Sequence, residues 1–463
     1  MKQNTYKILI LVCIISIIIN SSKAQNVISI AREHFDKFDN VEGGWLAADG
    51  TTSLLLPDGK ILWLFGDCIV GEKDGQFGID NPTSTFINNA AIIEDGNVLT
   101  TYYGGTTENP SSLIPGVGLD IFWPEHATIE NDTIKIFAIK IIFDDNGVPG
   151  FNFRVGTTHM ASFKYPEMEY INIVPVEYIT DTTMRFGTHV LKKDDYTYIF
   201  GKKDTLAGGF LYPIPMLARV SNSVSEPWEF YDGSGSWSYN CEDAKSIGDR
   251  PMSESFFVYE KNDKFYLIMH EIWTVGELYI LEADEITGPF NRALTGGIEN
   301  LFCMIPKHGS NFTYNLFAHP QFQNEDSILI SFNVNTSNFG SIFTDTRNYR
   351  ARFLWLSVED AVTISIPDTV YIFDDFMDPP NSIFDFDENN KEQYFEIYSN
   401  KILVKNINTP SVLSVYSTDG RMLYYQNINA DLTLNLDDFP NTTLIIKLIH
   451  EKGFYSKKII NTN

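Results

Sequence analysis

The sequence predicts an all-β chain, a five-bladed β-propeller followed by a small C-terminal β-sandwich, and three observations carry that prediction. First, a short pattern of apolar run, Asp-bearing turn and second apolar run returns five times. The copies are SLLLPDGKILWLF around Asp58, ATIENDTIKIF around Asp132, HVLKKDDYTYIF around Asp195, FVYEKNDKFYLI around Asp263 and QFQNEDSILISF around Asp326. Successive turn aspartates lie 74, 63, 68 and 63 residues apart, the mark of one recurring supersecondary unit. Second, a proline beside an aromatic residue keeps the same beat, at Tyr165-Pro166, Pro227-Trp228 and Pro289-Phe290, with spacings of 61 and 62 residues. Third, the texture changes after residue 360, first to an acidic, proline-bearing stretch and then to short alternating strands.

Residues 1–24 carry Lys2 and Lys7, the apolar run ILILVCIISIII, and Ser22-Lys23-Ala24 ahead of Gln25. That is the layout of a secretory signal peptide, with an apolar run too short for a membrane anchor. The propeller is expected over residues 25–360. Each repeat reads as a hairpin, because runs rich in Val, Ile, Leu, Phe and Tyr flank a polar turn. The Pro-aromatic landmark follows a further apolar strand such as LARVS or LYILEA, so each unit holds a third strand and a fourth, the content of one blade. Residues 361–393 read as a linker, and residues 394–463, with an Asp419-Gly420 turn, as a sandwich of six or seven strands.

Composition narrows the partners. The 463 residues carry 34 Lys and Arg against 60 Asp and Glu, a net charge of −26, which repels nucleic acid and anionic lipid head groups. Cys13 falls inside the signal segment, leaving Cys68, Cys241 and Cys303. In an exported protein these are expected to form one disulfide and one buried thiol, with the pair not assignable from spacing. No cofactor is required by any motif; there is no phosphate loop and no GxSxG elbow. A channel cation such as calcium is compatible with the reading.

Side chains at one end of the inner strands of a propeller converge from different blades. Counting seven to nine positions back from each turn Asp gives Asp49, then Trp123 to His126, then Thr188 and His189, then Glu254, then His319. The turn aspartates themselves belong to the rim, since Asp favours turns for backbone reasons. Asp49 opens the inner strand of the first blade and Asp67 ends the next strand, so antiparallel pairing sets both at one end of the hairpin. Two carboxyls in a partly desolvated pocket split into a protonated and an ionised member, as hydrolysis of a glycosidic bond requires. Glu254 and Glu271 repeat that acidic geometry in the fourth blade. Trp45, Trp123 and Glu125 suit sugar faces and hydroxyls, while His126, His189 and His319 admit two readings, a shared metal or neutral partners of substrate hydroxyls.

Two resemblances follow from these strings. The first-blade text Trp45-Leu46-Ala47-Ala48-Asp49-Gly50, Leu56-Pro57-Asp58-Gly59 and Trp63-Leu64-Phe65-Gly66-Asp67 resembles a family of secreted five-bladed propellers catalogued as domains of unknown function. Phe86-Ile87-Asn88-Asn89, Phe122-Trp123-Pro124 and Phe332-Asn333-Val334-Asn335-Thr336 extend the likeness over residues 40 to 345. These propellers are similar to glycoside hydrolases that act on furanosides. The resemblance implies a glycosidase working on a polysaccharide or oligosaccharide such as an arabinan, with Asp49 and Asp67 as its acids and Glu254 closest to the Glu acid of arabinanases. A carbohydrate-binding or adhesion propeller without turnover is the alternative. The C-terminal segment, with Val415-Tyr416-Ser417-Thr418-Asp419-Gly420-Arg421 and Lys457-Lys458-Ile459-Ile460, resembles the sorting domain of the type IX secretion system of Bacteroidetes. It implies export through the outer membrane by that machinery, as a secreted or cell-surface protein expected to be a monomer.

Overall fold

The computed structural model describes residues 28–80, 82–148, 151–207, 210–248, 252–270, 278–292, 311–324, 327–336, 338–358, 394–398, 400–408, 411–417, 422–439, 443–450 and 453–460. They belong to two compact units, the first ending before residue 367 and the second holding the C-terminal residues. The expected signal peptide and linker, and Asp326, Glu271 and Cys303, lie outside the described residues.

In the first unit five antiparallel sheets follow one another along the chain. Blade one is built on Thr52–Leu55, Ile61–Phe65, Ala90–Asp95 and Val98–Tyr102, from the channel outward. Blade two is Ile121–Glu130, Thr133–Val148, Phe151–Lys164 and Glu169–Pro175. Blade three runs Met184–Lys193, Tyr196–Ala207, Phe210–Val220 and Glu229–Tyr231, with Trp237–Ser238 as a fifth strand. Blade four is Phe256–Lys261, Lys264–His270, Leu278–Ala283 and Asn291–Arg292. Blade five takes Asn311–Gln323, Ile328–Thr336 and Arg352–Leu356 from the end of the unit, and its outermost strand, Ile28–Ile30, from the start. The innermost strands touch in sequence order, and that of blade five returns to that of blade one. The N-terminal strand was not visible in the repeat, because three residues carry no periodicity.

The two sequence landmarks have separate physical roles. The turn aspartates occupy exposed two-residue loops at Asn131-Asp132, Asp194-Asp195 and Asn262-Asp263, where Asn131, Asp194 and Asn262 take positive φ near 51°. The aromatic residues beside the prolines seal the seams between blades. Tyr165 packs on the cluster shared by blades one and two. Trp228 is fully buried between blades two and three against Phe137 and Phe186, and Phe290 lies in the cluster of blades three and four. A seam also explains the continuous apolar text of the second strands. Ile61–Phe65 is buried at every position, because a blade interior is covered on both faces. Glu169–Pro175, on the outside, is almost wholly exposed.

The second unit is a two-sheet β-sandwich. Phe395–Tyr398, Lys401–Val404 and Leu432–Asn435 form one sheet, and Met422–Ile428, Ser411–Ser417, Thr443–His450 and Gly453–Ile460 the other. Ile402, Val404, Leu413, Val415, Leu444, Ile446 and Leu448 meet between them. The expected disulfide is corrected. Among the described residues Cys68 and Cys241 are both free and buried, Cys68 within the strand Cys68–Val70 and Cys241 against Thr180.

Candidate active site

The inner strands all run from the same face of the propeller toward the turn aspartates, so their entries share one mouth. In blade one, three neighbouring strands are interrupted at the same level. Trp45–Ala48 breaks at Asp49 before Thr52–Leu55, Ile61–Phe65 breaks at Gly66-Asp67 before Cys68–Val70, and Thr85–Ile87 breaks at Asn88-Asn89 before Ala90–Asp95. The Asp49 amide donates to the Asp67 carbonyl at 3.1 Å, and the Gly66 amide donates to the Asp49 carbonyl at 2.9 Å. Asp49 and Asp67 are therefore adjacent as anticipated, but at a break within the hairpin and not at its end.

Neighbouring blades complete this pair. The Tyr314 hydroxyl of blade five donates to Asp49 Oδ2 at 2.7 Å, and Tyr349 also hydrogen-bonds this carboxylate. Asp67 Oδ1 accepts from Asn88 Nδ2 at 3.1 Å and from Trp123 Nε1 of blade two at 3.0 Å. Burial pushes the Asp49 pKa up to about 6, against the pull of its hydrogen bonds. Burial, with the adjacent Asp49 charge, pushes Asp67 up to about 7. The same burial, reinforced by both carboxylates, drives the Cys68 thiol well above its ordinary value and keeps it protonated.

A second group spans blades two, three and four. Lys202, on the second strand of blade three, is 3% exposed and contacts Glu125 Oε1 at 3.4 Å and Glu254 Oε2 at 2.9 Å. It also donates to the Glu254 carbonyl. Arg185, paired with Lys202 across the hairpin, holds Asp204 through two hydrogen bonds of 2.6 and 2.7 Å and lies 3.5 Å from Glu254. Two carboxylates on one ammonium are driven apart in acidity. Burial raises Glu125, with Glu254 adding repulsion. Burial also pushes Glu254 upward, but the Lys202 and Arg185 charges outweigh it, and the net shift is down.

Other expected site residues are corrected by their surroundings. Trp45 offers no face to a ligand; it is 3% exposed, with Phe38 and Phe65 within 5.5 and 5.2 Å. His319 is fully buried, with Nδ1 at 2.6 Å from Ser53 Oγ, Nε2 at 2.9 Å from Ser331 Oγ, and Trp63 at 4.9 Å, so it pins blade five to blade one. His126 and His189 are buried edge to face at 4.9 Å. Burial lowers His126 to about 4 and carries His189 and His319 well below the ordinary histidine value, so all three are neutral at pH 7. Trp123 and Glu125 are half-buried and Glu254 is exposed. Among the described residues no group of three His, Cys, Asp or Glu side chains is arranged to hold a metal ion.

Sequence reasoning missed Lys202, Arg185, Tyr314 and Asn88. Lys202 lies seven residues beyond its turn Asp, and reading outward from each turn as well as inward would have found it.

Fold and site together define an all-β propeller with acidic residues gathered at one mouth. The chain belongs to the family described as Domain of unknown function (DUF5005), whose model matches residues 32–358. No curated protein matches it by sequence. A solved structure from Bacteroides ovatus ATCC 8483, described as a candidate hydrolase, superposes with a TM-score of 0.56 at 19% identity, covering 73% of this chain and 93% of its own. That likeness speaks to fold. The GH43_1 enzyme from Xanthomonas citri complexed with xylotriose gives 0.39 at 12% identity, covering 68% and 88%. The GH43 BlXynB protein from Bacillus licheniformis gives 0.39 at 11%, covering 91% and 89%. Both superpositions are too loose to bear on the site.

Proposed function

We propose that the chain is an exported glycoside hydrolase that cleaves a neutral polysaccharide, with arabinans and other furanosides as the first candidates. The observation that carries this reading is the Asp49–Asp67 pair, whose carboxyls are raised to about 6 and 7 at the mouth of the channel. Near neutrality such a pair holds about one proton. Asp49, which accepts from two tyrosines, takes the ionised role of base or nucleophile. Asp67, the higher of the two, donates its proton to the leaving glycosidic oxygen. Glu254 and Glu125, fixed by Lys202, bind hydroxyls of the sugar beside them.

One observation favours a second reading, a carbohydrate-binding propeller without turnover: both aspartates already accept hydrogen bonds from protein donors. Product release from a panel of arabinans, xylans and other polysaccharides separates the two. Asp49→Asn and Asp67→Asn are expected to lose about 10²–10⁴-fold in rate, whereas binding by the wild type with no product supports the second reading. Export belongs to the same proposal, with residues 1–24 as signal and residues 394–463 as the type IX sorting domain. Deleting 394–463 is expected to hold the protein inside the outer membrane.

A further inference from the structure

A groove beside the aspartate pair carries a site that the chemistry above does not use. It is lined by Ile69, Ser84, Thr85, Phe86, Phe339 and Phe343 and has a volume of about 380 Å³, within the range of ligand clefts. Phe86 is 47% and Phe339 49% exposed, a large apolar area to leave in water.

Two features join this groove to the aspartates. Ile69 pairs with Phe86 across the Cys68–Val70 and Thr85–Ile87 strands, and two residues from each of them, at the break, Asp67 and Asn88 are joined at 3.1 Å. Two residues of chain span at most about 7 Å, so the backbone of the groove floor at Ile69 lies within that distance of the Asp67 backbone. The opposite wall comes from the helical turn Gly340–Thr344, where Phe339 and Phe343 stand four residues apart on one face. The next turn, Thr346–Tyr349, delivers the tyrosine that bonds Asp49.

We propose that this groove is a subsite that takes the neutral polysaccharide chain beyond the scissile bond, its sugar C–H faces stacking on Phe86 and Phe339 and its hydroxyls meeting Ser84 and Thr85. Alternating aromatic faces and hydroxyls match a sugar, which is apolar on its ring faces and polar at its edge. The net charge of −26 selects against acidic glycans. The proposal rests on the hydrolase reading for its direction, but its test does not. Retardation of the full-chain protein in native gels containing neutral arabinan, xylan or arabinoxylan is compared for wild type, Phe86→Ala, Phe339→Ala, Phe86→Tyr and Asp67→Asn.

Retardation of the wild type is expected to weaken roughly tenfold or more in each alanine variant and to persist in Phe86→Tyr and Asp67→Asn. Thermal unfolding confirms that the variants are folded. Equal retardation of wild type and alanine variants overturns the proposal. So does no retardation of the wild type, or an apolar contact between two copies, seen as a dimer that Phe86→Ala dissociates while retardation is unchanged. Unchanged product release by Asp67→Asn would instead remove the hydrolase reading and leave the groove standing.

Discussion

Asp67 and Asp49 favour their protonated forms in the folded state, and this fixes the sign of a pH effect. Their folded pKa values, about 7 and 6, exceed the unfolded value of 3.8, so between pH 4 and 7 the native protein binds more protons than the unfolded chain. Stability contributed by the pair is therefore intact below pH 4 and falls as pH rises through 7. Asp67→Asn is expected to raise the melting temperature above pH 7 relative to wild type while abolishing activity, the exchange of stability for chemistry seen at active sites. Melting curves from pH 4 to 8 check it, and an unaltered slope would contradict the raised pKa. Lys202 sits on the other side of the balance. Lys202→Met removes the ammonium from two carboxylates and leaves Glu125 buried beside Glu254, with an expected loss of about 2 kcal/mol. Lys202→Arg should restore part of it in denaturant titration. Asp49 and Asp67 were legible from sequence because hairpin counting needs only strand period. Tyr314 was not, because its importance comes from a contact across blades that no local spacing encodes, and Lys202 is reached only by counting outward from its turn.

At the level of elements, the break across three strands of blade one is the feature that creates the pair. Gly66 is required there: a Cβ on it would stand 2.7 Å from Oδ1 of the Asp49 carboxylate, a group tethered by two tyrosines. Gly66→Ala is expected to displace that carboxylate, costing about 1 kcal/mol of stability and most of the activity, and measuring both on the same preparation tests the claim. The seams follow a different rule. Trp228→Ala opens a cavity between blades two and three and is expected to cost about 3–5 kcal/mol by denaturant unfolding, with little effect on the mouth if the variant folds. The beat of the Pro-aromatic landmark was readable, whereas its role as a plug was not. Sequence shows that an aromatic residue recurs but not which two sheets close over it.

For the whole molecule, repetition and exception have separate jobs. The fivefold hairpin and the seams build a scaffold whose strand entries face one mouth, and the interruption of blade one places two carboxyls there. The repeat revealed the blade count early, because 60-odd-residue periodicity is set by four strands and their turns. The outer strand of blade five, drawn from Ile28–Ile30 at the other end of the chain, escaped it. The aromatic groove escaped it as well, since Phe339 and Phe343 lie in an insertion of blade five that belongs to no repeat. The central claim, that Asp49 and Asp67 share the working proton, is tested most directly by the pH dependence of polysaccharide hydrolysis. Activity is predicted to rise through about pH 6, peak before pH 7 and fall beyond it, with both Asp→Asn variants inactive. A flat profile from pH 5 to 8, or turnover retained in both variants, would contradict it.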